Sequence, residues 1–187
     1  MTRPYASLKS RLAARERLRV EKPGLLETAV ALILAPGKRG PEALLIRRAE
    51  RADDPWSGHA ALPGGRREAG DRDRLAVAVR ETDEEVGVAL GAESLLGALD
   101  DLHPNTPSIP PLVISPFVFG LAERPKTRLS DEVAETFWVP LADLPACAGS
   151  AEVRVRERQF RVPCFKPGGL VVWGLTYRIL SGFLPLL

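Results

Sequence analysis

Three glutamates, Glu81, Glu84 and Glu85, follow Arg80 in a segment that begins shortly after a Pro63-Gly64-Gly65 turn. Carboxylates are hard oxygen donors of the kind that Mg²⁺ and Mn²⁺ prefer. On a helix these three glutamates fall within about 100° of arc, where like charges repel by roughly 0.2–0.5 kcal/mol per pair. Either water screens an acidic face that Arg80 partly neutralises, or a cation is held there. The glycine pair favours the second reading, because it allows the backbone, with its carbonyl oxygens, to come close to a ligand. A divalent ion so placed neutralises phosphate charge and lowers the pKa of a bound water.

These residues need a helix. Asp71 or Asp73 caps one that runs to about Val86, and Gly87 stops it. Leu75, Val79, Thr82 and Val86 form a narrow inward stripe, within about 60° of one another. The glutamates face away from it and are expected to lie outside the core. Upstream, "ETAVALILAP" and "EALLIRRA" read as strands joined by a hairpin turn over Lys38 to Pro41. A short strand is expected near Ala60 to Leu62. "LLGALDDL" is a further strand, and "LVISPFVFGL" another in which Pro116 marks a bulge or an edge. "AETFWVPL" reads as a strand entering a short helix, Leu141 to Leu144, and "RVRERQFRVPCF" as a hairpin. Two terminal helices complete the reading. Ser7 to Glu21 is ended by Lys22-Pro23-Gly24, and "LVVWGLTYRILSGFL" carries Val172, Leu175, Ile179 and Phe183 as its apolar stripe. Strands mixed with a few helices imply an α/β or α+β sandwich.

The stretch Leu62 to Val88 resembles the Nudix box, written G-x5-E-x7-R-E-U-x-E-E-x-G-U with U apolar. Gly65, Arg80-Glu81, Glu84-Glu85, Gly87 and Val88 match. Asp71 stands for the isolated glutamate, with one extra residue before Arg80, and Thr82 replaces the first U. The resemblance implies a Nudix-type α/β/α sandwich with a mixed β-sheet. It also implies a Mg²⁺- or Mn²⁺-dependent hydrolase that cleaves the diphosphate link of a nucleoside diphosphate derivative. By position, Glu81 and Glu85 are the principal metal ligands, Glu84 is a further ligand or catalytic carboxylate, and the Gly65 region gives a backbone oxygen. Arg80 orients the glutamates. Asp71 either does part of the missing glutamate's work or caps the helix.

"LLIRRAERADDPWSGHAALPGG" is similar to the segment before the box in the coenzyme A pyrophosphatase branch, through Leu44, Leu45, Arg48, Ala49, Gly58 and Pro63-Gly64-Gly65. Ile46, Asp53 and Leu62 depart from that pattern. Asp53 replaces a basic residue, removing a charge-assisted contact worth about 1.5–3 kcal/mol. "VVWGLTYRIL" looks like that branch's last helix. Coenzyme A or a derivative is therefore the expected substrate. The alternatives are ADP-ribose or a nucleotide sugar and, in another class, a nucleotide-binding module without turnover. Arg48 rather than Arg47, His59 and the backbone of Gly64 are assigned to substrate. Glu132 is the candidate general base, with Asp131 and Glu135 as alternates. His103 could flank the substrate, and Trp56 either stacks on a base or anchors its loop.

A length of 187 residues suits one domain, here residues 1–187 with 1–24 as a helical extension. A net charge of +2 is too small to argue for nucleic acid or membrane partners. Four arginines between Arg11 and Arg19 are interrupted by Glu16, as on a solvated amphipathic helix. Cys147 and Cys164 have no metal-ligand spacing and read as reduced thiols. No apolar run reaches the roughly 18 residues of a membrane span, and no secretory signal is evident. A cytoplasmic monomer or homodimer acting on a small nucleotide substrate is the expectation.

Overall fold

The computed structural model describes residues 5–52, 56–104, 110–155 and 158–187. Its elements are α1 (Ala6–Ala14), β1 (Leu26–Gly37), β2 (Gly40–Arg48), β3 (Ala60–Ala61), β4 (Gly64–Arg66), α2 (Arg74–Val86), β5 (Leu95–Ala98), β6 (Leu112–Gly120), β7 (Val133–Pro140), β8 (Ala148–Val155), β9 (Arg158–Phe165), β10 (Val172–Trp173) and α3 (Gly174–Phe183). The main sheet runs β3-β2-β1-β6-β5, with β7 also paired to β2 and β4 to β1. β1 and β6 are parallel, from Leu26 opposite Leu112 to Leu34 opposite Gly120, whereas β1–β2 is an antiparallel hairpin whose last pair is Gly37 and Gly40. A smaller antiparallel sheet has the order β10-β9-β8.

β1 and β6 are apolar on both sides because both sides are covered. Ala29, Ala31, Ile33, Phe117 and Phe119 join Val77, Ala78 and Val86 of α2 in one buried cluster. Leu32, Leu34 and Val118 join Leu8 and Leu12 of α1 and Ile179, Leu180 and Phe183 of α3 in the other. The mixed sheet thus lies between helical layers, the expected α/β/α sandwich.

Several boundaries differ from the sequence reading. α1 ends at Ala14 rather than Glu21. Beyond it Arg15 and Arg17 leave solvent to pair with Asp100 at 2.7 Å and Asp101 at 2.5 Å, so that stretch is a strap, not an amphipathic face. Val172 and Trp173 are a strand paired with Phe165 and Cys164, so the last helix starts at Gly174. Pro116 sits inside the sheet rather than at an edge. Its carbonyl accepts from Leu99 N on the β5 side. The nitrogen of a strand residue points to the same side as its carbonyl, so the missing N–H falls beside Leu99, just past the end of β5.

Candidate active site

α2 begins where Asp73 accepts from Ala76 N at 2.9 Å, and it ends at Gly87, whose φ of 66° is left-handed and whose N–H returns to Asp83 O. Asp73 is therefore the cap. Asp71 is engaged elsewhere. Its carboxylate accepts from Arg80 Nε at 3.1 Å and Nη2 at 2.9 Å, and from Glu68 N at 2.8 Å. These bonds, Arg80 foremost, hold the Asp71 carboxyl below the usual range.

Arg80 then reaches Glu81 at 2.9 Å, Glu84 at 2.8 Å and the carbonyl of Arg66 at 2.9 Å. A guanidinium fixed on one side by a bidentate carboxylate presents its remaining donors in a set plane. Glu84 remains more than half exposed, at 58%.

The glycines bring the backbone against the helix. A side chain on Gly64, at φ 151°, would strike the carbonyl of Ala29. β4 can consequently press onto β1, pairing Gly64 with Val30 and Gly65 with Ala29. A Cβ on Gly65 would collide with the carboxyl group of Glu81, and Gly64 N donates to Glu85 Oε2 at 2.9 Å. Glu85 is thereby 4% exposed. This corrects the expectation that all three glutamates lie outside the core: β4 covers the side of α2 next to its apolar stripe, and Ala78 and Glu85 are buried with it.

Burial pushes the Glu85 carboxyl up to about 7; Glu81 and Glu132 add to the rise, while Gly64 N–H and Arg48 oppose it. Burial also raises Glu81, against the pull of Arg80. Two neighbouring carboxylates that resist ionisation form a site that a cation would relieve. Their oxygen donors suit Mg²⁺ or Mn²⁺. They are not gathered into a finished cage, for among the described residues no three His, Cys, Asp or Glu side chains lie together as a metal-binding group. Arg80 holds Glu81 and Glu84, and Gly64 holds Glu85.

A second loop closes over the helix end. Arg128 N donates to Val86 O at 2.8 Å and Ser130 N to Glu85 O at 3.0 Å. This brings Glu132 within electrostatic reach of Glu81 and Glu85. Arg48 lies within electrostatic reach of Glu85, whereas Arg47 pairs with Glu135 at 3.6 Å and lies over the Phe137 ring. Alternation along β2 separates the two arginines.

The other candidates have partners of their own. His59 packs edge-on against Trp173 at 5.0 Å between ring centres, and Trp56 packs on both. The backbone of His59 accepts from Arg48 N. His103 is bonded to the carbonyl of Leu112 at 2.9 Å. Asp53 lies outside the described residues. Sequence reasoning missed Arg51, which reaches Asp131 at 3.2 Å and Glu132 at 3.4 Å. Partners 80 and 81 residues apart in the chain leave no local signal.

Comparison with known proteins gives the same picture. Residues 25–160 match the NUDIX domain. An uncharacterised protein of Schizosaccharomyces pombe is 46% identical over 57% of this chain, which spans 35% of that protein's length. The human mitochondrial coenzyme A diphosphatase NUDT8 is 34% identical over 85% of this chain and 70% of its own. Among solved structures, a MutT/nudix family protein of Enterococcus faecalis superposes with a TM-score of 0.59 at 18% identity, covering 97% of this chain and 68% of that one. With the sandwich, the glycine turn and the Arg80-Glu81 and Glu84-Glu85 pairs on one helix, the domain match shows that this chain belongs to the Nudix hydrolase family.

Proposed function

We propose that the chain is a divalent-metal-dependent diphosphatase acting on nucleoside diphosphate derivatives, with coenzyme A or a derivative of it the leading substrate. The observation that carries this reading is the pair Glu81 and Glu85, packed against the Gly64-Gly65 turn with their proton affinities raised. The substrate choice draws support from the human relative named as a coenzyme A diphosphatase and from the segment preceding the box.

Glu81, Glu85 and the backbone at Gly65 would hold Mg²⁺ or Mn²⁺, with Glu84 as a further carboxylate. The ion, when bound, supplies positive charge against the phosphate oxygens and acidifies water. The remaining work falls to the chain. Arg80 fixes Glu81 and Glu84 in orientation. Arg48 takes a substrate phosphate, Gly64 lets the backbone approach it, and His59 lines the same approach. Glu132 accepts the proton of the attacking water as its oxygen bonds to one phosphorus and the bridging P–O bond breaks. Two phosphomonoesters leave. From coenzyme A these are a phosphopantetheine and an adenosine bisphosphate. The whole of residues 1–187 would act as one domain, with 1–24 as an extension of it.

A panel of diphosphate compounds assayed for phosphomonoester products tests the reading. Activity should vanish in chelator and return with Mg²⁺ or Mn²⁺, with coenzyme A turned over better than ADP-ribose. Full activity without metal would sink the mechanism, and binding without turnover would make the protein a nucleotide sensor. For Arg48→Ala, KM should rise more than kcat falls.

A further inference from the structure

Short bonds tie the residues that follow β2 to Ser57 and Gly58. Ser57 Oγ accepts from Arg51 N at 2.6 Å and donates to Ala49 O at 3.2 Å, while Gly58 N donates to Arg48 O at 3.2 Å. Ala49 N in turn donates to Glu132 O at 2.8 Å. The backbone of Arg51 is therefore fixed against the loop that carries the candidate base, which is itself bonded to the end of α2.

The side chain of Arg51 is held far less firmly. It meets Asp131 at 3.2 Å and Glu132 at 3.4 Å, with 43% of its own surface and 91% and 50% of theirs exposed. Exposed pairs of this kind are weak and easily exchanged. The cations around the site are unequal in this respect. Arg80 is bound on several sides by Asp71, Glu81, Glu84 and the Arg66 carbonyl, and Arg48 acts electrostatically on the buried Glu85. An incoming diphosphate adds negative charge to a site already holding Glu81, Glu84, Glu85 and Glu132. It needs a cation that can turn toward it at little cost, and Arg51 meets that need.

We propose that Arg51 is a substrate-binding residue that leaves Asp131 and Glu132 for a phosphate of the incoming diphosphate, and that this exchange frees Glu132 to take the proton of the attacking water. The inference rests on the diphosphatase reading above. A planar guanidinium suits two oxygens of one phosphate better than two separate carboxylates, each met through a single nitrogen.

The test combines steady-state kinetics with coenzyme A in Mg²⁺ and equilibrium binding of coenzyme A and ADP-ribose, on wild type, Arg51→Ala, Arg51→Lys and Asp131→Asn. Arg51→Ala should raise KM and weaken binding by about 10- to 100-fold, the range of one charge-assisted bond, with kcat within about threefold. Arg51→Lys should recover part of the loss. Asp131→Asn, which removes a competitor for the guanidinium, should lower KM by about two- to threefold. Unchanged KM and binding in Arg51→Ala overturn the proposal, as does a loss confined to kcat, or a rise in KM for Asp131→Asn. If wild type binds these compounds without cleaving them, the diphosphatase reading fails, while weakened binding by Arg51→Ala still upholds Arg51. If wild type binds neither compound, the proposal is overturned.

Discussion

Around the first turn of α2 each carboxylate has donors of its own, while along the last two turns Glu81 and Glu84 share Arg80 and the buried Glu85 has the Gly64 N–H. Glu27 is held by Arg67 and Arg74, Asp73 by Ala76 N, and Asp101 by Arg17, Arg74, Val20 N and Ser115. Partners and backbone donors lower the carboxyls of Glu27 and Asp73, whereas burial raises Glu81 and Glu85. One helix thus has an anchored end and an end left in electrostatic conflict. Conflict of this sort costs stability and persists where function needs it. The difference separates what holds the fold from what would act on a ligand.

The sharpest way to break the comparison is Glu85→Gln. Turnover should fall at least about 100-fold, as on removal of a charged group that acts in the transition state. Without metal the variant should be as stable as wild type or more so, because a neutral amide replaces a buried charge set among like charges. A lowered Tm in chelator, or near-normal turnover, would place Glu85 with the anchoring carboxylates instead.

Asp71 joins the two ends through Arg80. Asp71→Asn should reduce turnover or metal affinity by about 10- to 100-fold, the usual effect of removing a group that orients a ligand. Metal titration followed by calorimetry would measure this, and unchanged affinity together with unchanged rate would detach Asp71 from the site.

Asp101→Ala should do the reverse: destabilise by about 1–3 kcal/mol, as partly solvated donors lose a buried acceptor, while KM and metal affinity stay near wild type. Denaturant unfolding and kinetics on the same preparation would show it. A selective loss of activity at unchanged stability would contradict the assignment.

The smallest effect expected is in acid. The folded pKa of Glu27 lies below its unfolded value, so its contribution is complete above roughly pH 4.3 and is lost as pH falls through the lowered folded value. Glu27→Gln should therefore flatten the decline of Tm in that window and leave the neutral-pH activity unchanged. A decline as steep as that of wild type would show that the arginines hold Glu27 no better folded than unfolded.

Much of this was legible in the sequence wherever the signal is local. α2 declares itself through Asp73, its apolar spacing and Gly87; β1 and β6 through apolar runs that only a doubly covered strand tolerates; the turn through Pro63-Gly64-Gly65. What escaped depends on partners distant in the chain. The burial of Glu85 follows from β4 lying against α2, which a helical wheel cannot show. α1 is short because Arg15 and Arg17 find Asp100 and Asp101, more than eighty residues on. Val172 and Trp173 have helix-compatible spacing, yet β9 offers them a strand to pair with.

The parallel pairing of β1 with β6 has a consequence for how the site comes into being. Thr28 and Val113, bonded across it, are 85 residues apart, and α2 lies within the loop that this pairing closes. Such a closure is entropically slow. A chain emerging from the ribosome would therefore lack Phe117 and Phe119 under α2, and with them a fixed seat for Glu81 and Glu85, until β6 had been made and docked. Affinity for a cation would be acquired late and as a unit. Pulsed hydrogen exchange during refolding should then protect α2 together with β6; protection of α2 well before β6 would show that the helix forms its bed without that strand.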